Sequence, residues 1–342
     1  MERGATSSRH VGLQDSCRRQ DEKRKRNSYT YTSAVTVALA VFRPFRRCLR
    51  WHKLCLDYGM LPPLRVLAPV DFSPYSNTSL TFAACLARQC GAELHVLHVQ
   101  PPLLDAVAEA HHVDLRGETR AALAGFMTDA VLSGRLEPVH HVASGPAADS
   151  ICVTASTSHA DLIVMGPRGR SRLAATLLGS TTKSVLQHAP CPVAVVPAAW
   201  TPIAGGKGDT GTTALVVGIE NADAPPEALL DAAARLALAL DAWLHVVHAV
   251  DSTGAGDIER RRAALTERLH AHPVALRTAV HVERGPAADV LEAYAARAAL
   301  GRGIVMLGAH GQSGRGSALP GWHDTALSLM ARMPLPFVAC RP

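Results

Sequence analysis

Between residues 61 and 342, short apolar runs alternate with longer stretches in which apolar residues recur at helical spacing. That alternation predicts βα units around a buried parallel sheet. In the first part of the region the predicted strands are LRVLAPV (64–70), ELHVLHV (93–99), EPVHHVA (137–143), DLIVMG (161–166) and PVAVVP (192–197). Helices fill the gaps. Ser73 followed by Pro74 supplies an N-cap and a first-turn proline for the first helix. SGPAADSICVTASTS opens the third helix, and GSTTKSVLQHAP is the fourth, halted at Pro190.

The whole pattern then repeats. ELHVLHV (93–99) returns as WLHVVHA (243–249), GPAADS (145–150) as GPAADV (285–290), and LIVMGPRG (162–169) as GIVMLGAHG (303–311), in the same order. This predicts one domain over 61–198 and a second over 212–342, joined by a Gly-rich polar linker at 199–211. The second copy's strands are ALVVGIE, WLHVVHA, RTAVHVE, GIVMLG and PFVAC, and its Arg-rich segment near 254–272 is expected to be an exposed helix face. Parallel crossovers are right-handed, so each copy is expected to be an open α/β sheet with helices on both faces.

Composition agrees with this class. The 342 residues are 48% hydrophobic but only 4% aromatic, which suits helices on buried parallel strands better than a β-sandwich. The net charge of +6 is unevenly placed: residues 1–59 hold 13 Lys/Arg against 5 Asp/Glu, whereas residues 60–342 hold 22 against 24. A nearly neutral body without an aromatic recognition surface argues against nucleic acid as a partner. The longest early apolar run, Ser33–Phe42, is about half the roughly 20 residues needed to span a bilayer, and no small-residue cleavage site follows it. Residues 1–59 are therefore expected to be a disordered basic leader or an over-extended start, with Met60 favoured as the true beginning. The eight cysteines form no C-x-x-C pair and read as buried thiols of a reducing, cytoplasmic compartment.

The strongest chemical signal is MGPRGRSRLAATLLGST (165–181). Gly166 ends a predicted strand, Gly169 lies in the following loop, and Gly179 opens a helix ahead of the hydroxyls of Ser180 and Thr181. Helix N-termini attract anions, and glycine lets a backbone approach phosphate oxygens. The spacing is neither a P-loop nor a dinucleotide fingerprint. Asp71, at the end of the first strand, can accept hydrogen bonds from ribose hydroxyls or a base edge; its competing role is to cap the following turn. Val99, ending the second strand, can offer its backbone to a purine.

With these segments in view, the sequence resembles the universal stress protein family in its tandem form. The resemblance rests on VLAPVDFSPYS (66–76), AELHVLHV (92–99) and ADLIVMGPRGRSRLAATLLGSTTKSVLQHAPCPVAVVP (160–197), with a weaker second set, and covers nearly all of residues 61–342. It implies two tandem Rossmann-like open parallel sheets of strand order 3-2-1-4-5. It further implies ATP as ligand, with or without Mg, in the first domain. Pro69, Val70 and Asp71 would border the adenosine, Val99 the base, Met165, Gly166, Arg168 and Gly169 the ribose and phosphates, and Gly179, Ser180 and Thr181 the phosphate chain. In the second copy Gly308, Gly311 and Gly321 keep the spacing, but Trp322, His323 and Glu220 stand where Ser180, Thr181 and Asp71 stand in the first. One competent site per chain is expected.

The resemblance also implies that the apolar fifth strands pair, here between the two copies, with further homo-oligomerisation left open. The expected role is a stress-response or signalling module that binds an adenine nucleotide. The alternatives are a slow ATPase or nucleotidyl-transfer enzyme on the same fold, and a nucleotide-free interaction or chaperone-like protein. No catalytic residue is assigned, because no metal-binding carboxylate cluster or G-x-S-x-G elbow is found. No metal site is assigned either: His95/His98 and His245/His248 are three apart on predicted strands and so point to opposite faces.

Overall fold

The computed structural model describes residues 63–127, 136–169, 178–202, 212–222, 225–250, 255–270, 277–299, 302–308 and 324–340. The chain divides at Gly59/Met60 into two units, and all described residues belong to the second. The leader, Gly311, Gly321, Trp322 and His323 lie outside the described residues.

The first half runs β1 (Arg65–Val70), α1 (Pro74–Cys90), β2 (Glu93–Gln100), α2 (Pro102–Ala110), α3 (Leu115–Phe126), β3 (Val139–Ser144), α4 (Ala147–Thr157), β4 (Leu162–Met165), α5 (Ser180–His188) and β5 (Val193–Val195). The second runs β6 (Ala214–Ile219), α6 (Glu227–Leu240), β7 (Trp243–Val250), α7 (Ala255–His270), β8 (Thr278–Arg284), α8 (Ala287–Ala299), β9 (Gly303–Gly308), α9 (Asp324–Arg332) and β10 (Phe337–Cys340). α1 begins as expected: the Ser73 side chain accepts from the Ser76 N–H and proline occupies the first turn. Strand limits shift slightly. β2 runs one residue past Val99, and β4 stops one before Gly166, whose carbonyl is taken by a side chain of α5.

The sheet order is β3-β2-β1-β4-β5-β10-β9-β6-β7-β8. Each half is parallel and has the order 3-2-1-4-5. The two open sheets expected from the sequence join edge to edge into one sheet of ten strands through their fifth strands, as expected: β5 and β10 pair antiparallel through Phe337↔Val195, Val338↔Ala194 and Ala339↔Val193. Each short apolar strand thereby covers an edge that would otherwise offer unpaired N–H and C=O groups to another chain.

Strand alternation divides the core into two layers. Val66, Ala68 and Val70 pack on one face with α1, α3, α6 and α7 through Leu80, Leu123, Leu230 and Leu265. Leu67, Ile163 and Met165 pack on the other with α4, α5, α8 and α9 through Ile151, Val185, Leu291 and Leu329. Equivalent helices of the two halves share a face. Across the junction, Arg235 of α6 reaches Asp161 at 2.7 Å, and the Gln89 amide of α1 donates to the Leu240 carbonyl at 3.1 Å. The Arg-rich helix α7 turns Arg260 outward and buries Leu265 and Leu269.

Candidate functional site

In the order 3-2-1-4-5, the chain leaves β1 for α1 on one face and β4 for α5 on the other. The gap between the carboxyl ends of β1 and β4 is therefore a topological switch point, where open α/β sheets bind ligands. β1 ends at the buried Val70, and the next side chain is Asp71. Asp71 Oδ1 accepts from the Ser73 N–H at 3.0 Å, and the Asp71 N–H donates to Ser76 Oγ at 3.3 Å. The turn-capping role is thus real. The second carboxylate oxygen, Oδ2, lies against the α-carbon of Gly169.

Two of the three motif glycines are in close contact with neighbouring atoms. A methyl on Gly169 would collide with Asp71 Oδ2. A methyl on Gly166 would lie 3.1 Å from both Cβ and the carbonyl oxygen of Tyr75 and 3.3 Å from the Arg168 carbonyl, tighter than ordinary packing. Gly179 differs: its φ is −70°, and a methyl there would meet nothing nearer than 3.5 Å. Gly179 occupies the N-cap of α5 and has no side chain with which to cap the first-turn N–H groups. An uncapped N-terminus aimed at a switch point carries partial positive charge toward any anion there.

The loop ends are brought together. The Gly179 N–H donates to the Pro167 carbonyl at 2.8 Å, and the buried Thr182 donates its hydroxyl to the Gly166 carbonyl at 3.1 Å. Ser180 is exposed and Thr181 half-buried at this helix start. Arg168 is half-buried between Gly166 and Gly169. Pro69 is half-buried, whereas Val70 and Met165 turn their side chains into opposite core layers, so either would meet a ligand through its backbone. Val99 is half-buried and packs on the Met165 layer, one residue before the end of β2.

Sequence reading missed four supports of this arrangement. Tyr75 backs Gly166, Ser76 fastens the Asp71 amide, Thr182 ties α5 to the end of β4, and His98 bonds the Val70 carbonyl at 2.8 Å. Thr182 was readable as a third hydroxyl after Gly179; the others face inward from a pattern that signals only helix or strand.

In the second half, Glu220 follows β6 in the place of Asp71. The glycine at the end of β9, Gly308, is roomier than Gly166: a methyl would come only within 3.9 Å of Leu229. Elsewhere the histidines form pairs rather than chelates. His95 Nδ1 and His141 Nε2 are 2.8 Å apart with stacked rings, while His98 lies with Phe72 on the opposite layer. In the second half His245 bonds the Tyr294 hydroxyl at 2.9 Å, beside His281. Burial, the largest cause in each case, holds His141, His245 and His281 below the usual histidine range. Among the described residues no group of three or more His, Cys, Asp or Glu side chains is placed to hold a metal, and no helix is long and apolar enough to cross a membrane.

The model of the universal stress protein family matches residues 64–197, the span that contains this crevice. A universal stress protein of Thermus aquaticus is 31% identical over 137 residues, covering 38% of this chain and 96% of that protein. The chain belongs to the universal stress protein family. A universal stress protein of Mycobacterium tuberculosis is 27% identical over 166 residues, a match that spans 39% of this chain and about half, 48%, of that relative's length. Among solved structures, a universal stress protein from Archaeoglobus fulgidus aligns over 81% of this chain and 96% of its own with a TM-score of 0.57 and 20% identity. That likeness extends the family's α/β fold across both halves.

Proposed function

We propose that the chain is a tandem universal stress protein that binds ATP in its first half, at the carboxyl ends of β1 and β4, and acts as a cytoplasmic stress-response or signalling module. One observation carries the reading. Asp71 is held against Gly169, where any side chain would displace its carboxylate, next to a helix N-terminus whose N-cap is a glycine with no side chain to cap it. The carboxylate suits a hydroxyl-rich neutral group such as ribose. The N–H groups of α5 and the hydroxyls of Ser180 and Thr181 suit a polyanion. The donor set therefore fits a nucleoside polyphosphate, with Pro69, Val70, Val99 and Met165 offering backbone to the base and sugar, and Gly166, Arg168, Gly169 and Gly179 lining the phosphates. A Mg ion would reach the site on the phosphates, Asp71 being the carboxylate nearest to hand.

Binding rather than turnover is the output this reading expects: among the described residues Asp71 is the carboxylate at the crevice, engaged by the Ser73 N–H and set against Gly169 rather than beside a general base. Calorimetric titration of ATP into the purified chain is expected to saturate at one nucleotide per chain, with steady-state phosphate release near zero. Asp71→Ala is expected to weaken binding about ten-fold or more, the range for hydrogen bonds to a charged group. Absence of heat at millimolar ATP, or an unchanged affinity in Asp71→Ala, refutes the reading.

A further inference from the structure

One imidazole grips both neighbours of Asp71. On one side, His98 Nδ1 lies 2.8 Å from the carbonyl oxygen of Val70, the last residue of β1 and the register partner of His98 in β2. A carbonyl only accepts, so Nδ1 carries the proton. On the other side, the ring of Phe72 lies 4.6 Å from the His98 ring and meets Phe126 of α3 edge-on at 5.2 Å. Phe72 has φ +62°, a left-handed conformation that a side chain of this size adopts only where its surroundings enforce it. The residue between these two anchored peptides is Asp71, and its carboxylate must reach Gly169 with little tolerance.

The second half separates the hydrogen bond from the turn. His248 Nδ1 makes the same bond to the Ile219 carbonyl at 2.9 Å, yet Glu220 and Asn221 follow where Asp71 and Phe72 stand in the first half. The far nitrogen of His248 faces Arg261 at 3.4 Å instead of supporting an aromatic ring. A histidine that fastens the end of the central strand is therefore common to both halves. Only in the first does it also seat a left-handed aromatic residue beside a carboxylate.

We infer that His98 is a positioning residue for nucleotide binding: it fixes the Val70 carbonyl and seats Phe72, and so aims the Asp71 carboxylate across the crevice. The inference rests on the ATP reading above and assigns the aim of that site's carboxylate to a residue outside it.

The test is a double-substitution cycle on the full chain, read by ATP titration and thermal unfolding. His98→Leu is expected to weaken ATP about ten-fold, as Asp71→Ala does, and to add nothing in the Asp71→Ala background, because it acts through that carboxylate. His98→Asn, whose side-chain amide can donate from near the position of Nδ1 but offers Phe72 no ring, is expected to recover part of the affinity. His248→Leu removes the equivalent bond in the other half and is expected to lower the unfolding temperature without changing ATP affinity. A merely structural His98 would lower stability alone, or would weaken ATP equally with and without Asp71, and either result overturns the inference. Should His98→Leu fail to fold, His98→Phe keeps a ring, drops the donor and carries the same cycle. Failure of the unaltered chain to bind ATP overturns the parent reading as well; binding with an additive cycle overturns this inference alone.

Discussion

Replacing the three motif glycines by alanine, one at a time, separates three physical roles that look identical in the sequence. At Gly166 the new methyl meets three atoms at 3.1, 3.1 and 3.3 Å, two of them backbone oxygens that cannot rotate away. Relief requires α1 or the loop after β4 to shift, an overpacking cost of about 1–3 kcal/mol. The Thr182 hydrogen bond to the Gly166 carbonyl is strained at the same time. At Gly169 the collision is with a side-chain oxygen, so Asp71 swings aside, the bond to the Ser73 N–H is disturbed and the main chain stays put. Stability then falls less than at Gly166, but ATP affinity falls by about ten-fold or more, as for loss of hydrogen bonds to a charged group. At Gly179 the backbone is already extended and a methyl has room, so the cost is only alanine's poorer capping, within about 1 kcal/mol. Urea denaturation of the free protein ranks the first effect, and calorimetric ATP titration the second. The reasoning fails if Gly179→Ala destabilises as much as Gly166→Ala, or if Gly169→Ala binds ATP like the unaltered chain.

Three further outcomes are expected. His141, His245 and His281 have folded-state pKa values below their ordinary value, so the unfolded chain binds more protons in mild acid; stability present above about pH 6.5 is lost as pH falls through the folded-state values. A urea midpoint that does not drop between pH 7.5 and 5.5 contradicts this, a window kept above the titration of Glu93, whose pKa is lowered chiefly by its hydrogen bond from Arg65. Arg235→Ala removes the partner of Asp161 across the junction, although the Arg65 N–H still donates to the other oxygen, and the partly exposed pair is worth about 1 kcal/mol or less; a loss of several kcal/mol in the same assay would show a stronger junction role. Burial pushes the Cys90 and Cys191 thiols up to about 12 and that of Cys340 higher still. All three are expected to resist iodoacetamide at pH 8 in the native protein and to react once it is denatured, and mass mapping that finds them labelled in the native state refutes the burial argument.

The fold was legible because its signals are local and occur twice. Apolar runs, the Ser73-Pro74 start and the repeated GPAAD segments each specify an element without reference to the rest of the chain. Element limits were less so: whether Gly166 belongs to β4 depends on a hydroxyl sixteen residues away taking its carbonyl. The residues of the candidate site were legible as an inventory, and the structure brings Asp71, Gly166, Gly169 and Gly179 close together. Their individual roles were not, because spacing cannot tell a glycine pressed against backbone from one at an open N-cap. His98 was invisible for a related reason: on a strand, a histidine bonded to a neighbouring carbonyl reads the same as any half-buried polar residue.

The junction shows what pairing direction decides. Two like units can join at their fifth strands in parallel or antiparallel fashion, and the sequence specifies only that both strands are short and apolar. A parallel joint would have required one unit to turn over, placing equivalent helices on opposite faces. The antiparallel joint keeps α1 and α6 on one face, where Gln89 reaches the Leu240 carbonyl. It also reverses the strands: β1 and β4 run opposite to β6 and β9, so the carboxyl ends of the two halves open at opposite ends of the sheet. A ligand at Asp71 therefore cannot touch residues at Glu220 directly. Among the described contacts that could carry an effect of one half's occupancy to the other, the three paired residues of β5 and β10 are buried and closely packed, so they can carry a rigid-body shift but little local distortion; the α1–α6 contact and the Arg235–Asp161 pair flank them.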